Sequence, residues 1–152
     1  MITQLYASLA TGFFLLLTVR MFAIRGNPLF NFISYGKDDE EIVHRVVRGH
    51  GNFIEYAPLF FILLYLAEEA GTHNHILHSL AIMFMIGRLM HGILFSFMLR
   101  KSIVLRGGGM FLTLLALGLV GLLNFVQFVY VRENLIILLF VRCQLTHSDC
   151  IK

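Results

Sequence analysis

The chain has no tryptophan, only two prolines and two cysteines, and few charges, and each shortage closes off a class of protein. Charged residues make up 14% of the 152 while hydrophobic ones make up 58%, with a mean hydropathy of +0.79. Soluble globular domains carry about 25% charged residues, so that class is excluded. With two prolines in the whole chain, long helices run with little interruption. Cys143 and Cys150 both lie in the polar tail, which excludes a disulfide-built scaffold, and nothing near them supplies the cationic setting of a reactive thiolate. A net charge of +3, scattered along the chain, is too weak for a nucleic-acid binder. The N-terminal apolar run lacks a basic leader and a small-residue cleavage site, so it reads as a retained membrane helix. Nucleophile-elbow, phosphate-loop and zinc-protease signatures are missing from the sequence.

What is present is apolar length. Residues 2–24 suffice to cross a hydrocarbon core of about 30 Å, with Arg20 near the end, placed to snorkel or to turn inward toward a partner. Residues 25–34, holding Gly26, Asn27 and Pro28, read as a loop. Asp38, Asp39, Glu40 and Glu41 place negative charge where the start of a second helix favours it, and that helix continues to Glu69. Its apolar part, 53–67, is short for a full span, and Pro58 is expected to kink it. Gly71 ends it. A third helix is expected over 76–99, a glycine-rich turn over 100–109, and a fourth helix over 110–130, where Gly118 and Gly121 offer close approach to a neighbour. Arg132, Glu133 and Asn134 break the pattern, and 135–141 is too short to span alone. The expected fold is an all-α integral membrane four-helix bundle over residues 1–134, followed by a short apolar segment and polar tail over 135–152.

Basic residues give an orientation. Arg25, Lys37, Arg45, Arg48, Arg100, Lys101 and Arg106 fall on one side, against Arg132, Arg142 and Lys152 on the other. By the positive-inside rule, loops one and three face the cytoplasm and both termini lie outside.

The chemistry concentrates in helix two. At about 100° per residue, Arg45, Arg48, Asn52, Glu55 and Tyr56 share one face, and polar groups clustered at membrane depth usually mark a site. Two guanidiniums, a carboxylate, an amide and a phenol suit a small, multiply charged ligand. His50 points away from this set, toward a neighbouring subunit or the membrane edge. In helix three, Arg88 and His91 share a face with Phe95. Arg88 is close to the bilayer centre and needs a partner, for which Glu55 is the obvious residue; the pair would set helix register even without a ligand. Near the exterior turn, Thr72-His73-Asn74-His75 lacks the cysteine or carboxylate complement of a zinc site, so no metal is predicted.

The pattern Arg45-x-x-Arg48-x-x-x-Asn52-x-x-Glu55-Tyr56-x-Pro58, followed by Gly87-Arg88-x-x-His91, resembles the MAPEG family, the membrane-associated proteins of eicosanoid and glutathione metabolism. The chain is most similar to its short bacterial branch, over about residues 1–130. The resemblance implies a homotrimer of four-helix bundles with glutathione, as co-substrate, held between subunits near the cytoplasmic face by Arg48, Asn52, Glu55 and Tyr56. Arg45, Arg88 and His91, on the same faces, join that binding set. It also implies an arginine near the junction of helices three and four that stabilises the thiolate; Arg106 matches best and Arg100 is the fallback. The expected function is a glutathione-dependent transferase or peroxidase acting on lipophilic electrophiles dissolved in the membrane. One departure bears on turnover: Phe95 stands where several members carry a tyrosine. A non-catalytic glutathione-binding or scaffold protein of the same fold is therefore the alternative, and a b-type haem held by two of His44, His50, His78 and His91 is a third reading.

Overall fold

The computed structural model describes residues 1–98 and 102–149, with side chains as far as Arg132. Arg100, and the side chains of Cys143 and Cys150, lie outside the described residues. All regular elements among the described residues are helical: α1 (Ile2–Ile24), a short 3₁₀ segment (Pro28–Ile33), α2 (Glu40–Glu69), α3 (Asn74–Ser96) and α4 (Ile103–Asp149). Three helices are long and apolar enough to cross a membrane, namely α1, α3 and the Ile103–Arg132 part of α4. The fourth, α2, carries Glu40, Glu41, Arg45 and Arg48 in its first half, and Glu55, Glu68 and Glu69 in its second.

Local chemistry sets the boundaries. Asp39 caps α2 by accepting from the amides of Glu41 and Ile42 at 2.9 and 3.3 Å, and Glu40 and Glu41 occupy the first turn. Gly71, at φ +81°, supplies the left-handed residue that ends α2. Pro58 lies inside α2 without ending it. At the same end of the molecule, Glu68 receives the amides of Ile2 and Thr3 at 2.5 and 2.9 Å, so the last turn of α2 caps the first turn of α1.

The fourth helix differs from expectation. It begins at Ile103, takes in Gly107, Gly108 and Gly109, and runs through Arg132, Glu133 and Asn134 to Asp149. The glycines do not form a turn because two of them are packing positions, and no proline or glycine follows Gly121 to stop the helix. Gly118 and Gly121 have no helix of the same chain packed against them.

Helices α2, α3 and α4 meet through other glycines. A Cβ on Gly87 would lie 2.7 Å from Thr113 Oγ1 and 2.8 Å from the Gly109 carbonyl oxygen. One on Gly109 would lie 2.9 Å from the Gly87 carbonyl oxygen, and one on Gly49 would lie 2.7 Å from Phe95 Cβ. Small residues of this kind let helix backbones approach closely in membranes, where packing replaces the hydrophobic drive. Phe60 and Phe84 stack at 3.9 Å between centroids, with Phe61 edge-on to both, within a buried core that also includes Leu17, Leu64, Leu77 and Val120.

These distances separate two kinds of glycine. Gly87→Ala should lower stability by about 1–3 kcal/mol, the usual cost of overpacking, whereas Gly118→Ala should be neutral or slightly stabilising. Thermal unfolding of both variants in detergent reads the difference; equal midpoints would contradict the α3–α4 packing.

Candidate functional site

The last turn of α3 presents carbonyl groups that no helical amide can receive, and side chains from three other segments take them. Arg20 of α1 is 0% exposed. Its Nε donates to the Ser96 carbonyl at 2.8 Å, Nη1 to that of Ile33, and Nη2 to that of Tyr35 at 2.7 Å. The guanidinium also lies 4.0 Å from the Tyr35 ring centre, and the Tyr35 hydroxyl donates to the Phe97 carbonyl at 3.1 Å. Arg45 of α2 reaches the same helix end, with Nη2 donating to Leu94 and Met98 carbonyls at 2.7 and 2.9 Å. Arginines at a helix C-terminus satisfy orphan carbonyls and complement the dipole.

Beside this clamp lies a cleft of about 400 Å³, lined by Glu41, His44, Arg45, Arg48, Phe95, Arg106 and their neighbours Leu94, Ser102 and Ile103. Arg106 stands in the first turn of α4, not in a turn before it, and its guanidinium lies 6.0 Å from the Phe95 ring centre. A cation at a helix N-terminus meets like sign from the dipole. An anion in the cleft would offset both. A second groove of about 410 Å³ opens on the outer side of α2 and is lined by His44, Val47, Arg48, Gly51, Asn52 and Glu55. His44 and Arg48 border both.

The face expected from the helical wheel is therefore split. Arg48, Asn52 and Glu55 line the outer groove, whereas Arg45 and Tyr56, at the other edge of the arc, turn toward α3. Tyr56 approaches Arg88, whose guanidinium carbon is 5.2 Å from its ring centre. Arg88 is 2% exposed. Its Nε and Nη2 donate to Thr113 Oγ1 at 2.9 and 2.6 Å, and Nη1 donates to the Asn52 carbonyl at 3.2 Å. The expected Glu55–Arg88 pair is corrected by this geometry: Glu55 is exposed on the outer side of α2, and a threonine hydroxyl with a backbone carbonyl serves the buried cation instead. Thr113 in turn donates to the Gly109 carbonyl within α4 at 2.8 Å, so its oxygen is oriented to accept from Arg88, and the Arg88 bonds join α3 to α4 and α2.

His91 is buried and stacks flat on Phe95 at 4.5 Å, behind the wall of the cleft. His50 points away from the cleft toward α1, where it bonds Thr18 at 3.0 Å and stacks on Phe14 at 5.0 Å. His78 bonds Tyr6 at 3.0 Å. The four histidines of the haem reading thus face different neighbours. Sequence reasoning missed the roles of Tyr35 and Thr113 and left Arg20 open. Arg20 alone carried a signal, as a charge four residues inside the end of an apolar run.

These features define an all-helical membrane protein with a cationic cleft where α2, α3 and α4 converge. The profile of the MAPEG family matches residues 3–126, and the chain belongs to that family. It is 31% identical over 91 residues to the inner membrane protein YecN of Escherichia coli K12, a match covering 60% of this chain and 67% of the relative. The same protein from E. coli O6:H1 gives the same figures. No solved structure matches the chain.

The buried cation gives a stability test. Thr113→Val removes the hydroxyl that accepts two of the three Arg88 bonds and should destabilise the protein by at least about 2 kcal/mol, since hydrogen bonds to charged groups are costly to leave unmade. Thr113→Ser should retain most of the stability. Chemical unfolding in detergent that does not distinguish Val from Ser would contradict this arrangement.

Proposed function

We propose that the protein is a glutathione-dependent membrane transferase or peroxidase acting on lipophilic electrophiles. The observation that carries this reading is the pairing of two adjoining polar clefts around Arg48, one lined by Arg45 and Arg106 and the other by Asn52 and Glu55. Glutathione has two carboxylates and one ammonium. Arginines suit the carboxylates, and Glu41 or Glu55 suits the ammonium. A volume of about 400 Å³ falls within the range of small-molecule sites, about 300–1,000 Å³. Arg106, in the first turn of α4, would hold the thiol as thiolate, because a nearby guanidinium and a helix N-terminus lower a thiol pKa from about 8.5 toward neutral. In conjugation the thiolate sulfur then bonds to the electrophilic carbon, and the leaving group departs with the electron pair of the bond it breaks. In peroxide reduction the sulfur takes the terminal oxygen as the O–O bond breaks and the alcohol is released. A second glutathione thiol then reduces the sulfenic acid to give the disulfide and water.

The outward opening of the second groove supports an assembly in which a neighbouring subunit closes the site. A homotrimer of four-span bundles is the proposed form, with glutathione as co-substrate between subunits and membrane lipid as the surrounding phase. The basic residues of loops one and three support placing the clefts at the cytoplasmic side with both termini outside. The relative from E. coli supports a bacterial inner membrane. In this arrangement Arg48, Asn52 and Glu55 meet glutathione directly. Arg45, Tyr56, Arg88 and His91 hold the walls that shape the site.

A second reading, a binding or scaffold protein without turnover, is favoured by Phe95, whose ring gives the cleft wall beside Arg106 no hydroxyl.

Replacing Arg48 with alanine or Glu55 with glutamine should weaken glutathione binding by roughly 1–3 kcal/mol, the range for charge-assisted hydrogen bonds. Both residues are exposed, so the variants are expected to fold. Wild-type affinity in the two variants, measured by calorimetry in detergent, would refute the site. Arg106→Lys separates the two functional readings, because it preserves charge but loses the planar fork. Turnover should fall at least about tenfold, a transition-state loss of roughly 1.4 kcal/mol, with little change in glutathione affinity. Unaltered turnover would remove Arg106 from catalysis, and a wild-type protein that binds glutathione without turnover would favour the scaffold reading.

A further inference from the structure

We propose that the 3₁₀ segment Pro28–Ile33 is an interfacial membrane anchor, inserting Leu29 and Phe32 at the boundary between lipid headgroups and acyl chains. No residue of this segment is buried, and Leu29 and Phe32 are 78% and 81% exposed. Two large apolar side chains held outward in a loop need a covering phase. Depth identifies that phase. Helix α1, with 23 residues at 1.5 Å each, is about 34 Å long, close to the bilayer core of about 30 Å, so Ile24 lies at the interface.

The segment does not rise from there into water. Arg20, one turn before the end of α1, binds the carbonyls of Ile33 and Tyr35 and thereby draws the end of the segment back to its own level. That level is roughly 6 Å inside the end of α1. The apolar surface is also continuous with the lipid-facing side of α1, since Phe22, an exposed residue of its last turn, stacks on Phe30 at 6.5 Å and 16°. Tyr35, two residues beyond the segment, 43% exposed and bonded through its hydroxyl to the Phe97 carbonyl, is the residue type that favours the headgroup level. Asp38, Asp39, Glu40 and Glu41 follow immediately and are all exposed, so the chain turns toward water just beyond the anchor. An apolar patch lying in the interface plane between a span and a charged turn binds the leaflet through its buried apolar area.

The absence of native tryptophan makes the test direct. Full-length Phe32→Trp protein is reconstituted into phosphatidylcholine nanodiscs with ordinary or brominated acyl chains, and the single fluorophore is read. Blue-shifted emission, quenched at least about twofold by the brominated lipid and little by aqueous acrylamide, is the expected result. Water-like emission that acrylamide quenches and brominated lipid does not would overturn the proposal. Blue-shifted emission insensitive to both quenchers would also overturn it, by showing that protein, such as a second copy of the chain, covers the segment. Leu29→Trp, read in the same way, serves if Phe32→Trp does not fold.

Discussion

The end of α3 closes in a region where water cannot easily serve its carbonyl groups, and no glycine is available there to fold the chain back over them. Each unsatisfied group at membrane depth costs several kcal/mol, so the helix end requires donors from elsewhere in the fold. Arg20, Arg45 and Tyr35 provide them, from α1, α2 and the loop between. A guanidinium suits this role because its planar set of donors reaches several oxygens at once and stays charged. Arg20 has an acceptor for each of its three donor nitrogens, which is how a fully buried cation is tolerated.

Other features follow from that constraint. Fixing Ser96 and Phe97 fixes Phe95, the aromatic wall of the cleft, and His91 stacks behind it. Gly49 allows α2 to lie against Phe95, and Gly87 and Gly109 allow α4 to lie against α3. Arg88 and Thr113 then lock the same three helices one layer deeper, through the backbone of Asn52. Arginines thus act in two ways here. Arg20, Arg45 and Arg88 join backbone and hydroxyl groups within the protein, while Arg48 and Arg106 remain exposed at the rims of the clefts.

Much of this was legible in the sequence. The apolar run of α1 matches its observed limits, the acidic start of α2 and Gly71 mark that helix correctly, and Arg48, Asn52 and Glu55 do share an outward groove. Helical periodicity places residues on faces, but it does not show where a long side chain reaches. Arg45 and Arg48 are one turn apart and alike in type, yet one binds the end of α3 while the other borders open space. The pairing of Arg88 with a threonine was hidden for a similar reason: charge complementarity points to a carboxylate, whereas a hydroxyl and a carbonyl supply equal numbers of acceptors at lower desolvation cost. The three glycines before Met110 were misread because glycine marks turns in water, whereas between membrane helices it marks close packing.

The path from sequence to proposed function runs through the clamp, because it holds the cleft wall that glutathione would meet. Arg20 lines neither cleft, so its effect on a ligand there would be transmitted through the end of α3. Glutathione binding by wild-type and Arg20→Met protein, measured side by side in detergent on preparations that retain helical content, tests this most directly. The wild type should bind, and loss of the clamp should weaken affinity by about tenfold, or roughly 1.4 kcal/mol. Equal affinity in a folded variant, or no binding by the wild type, would contradict the account.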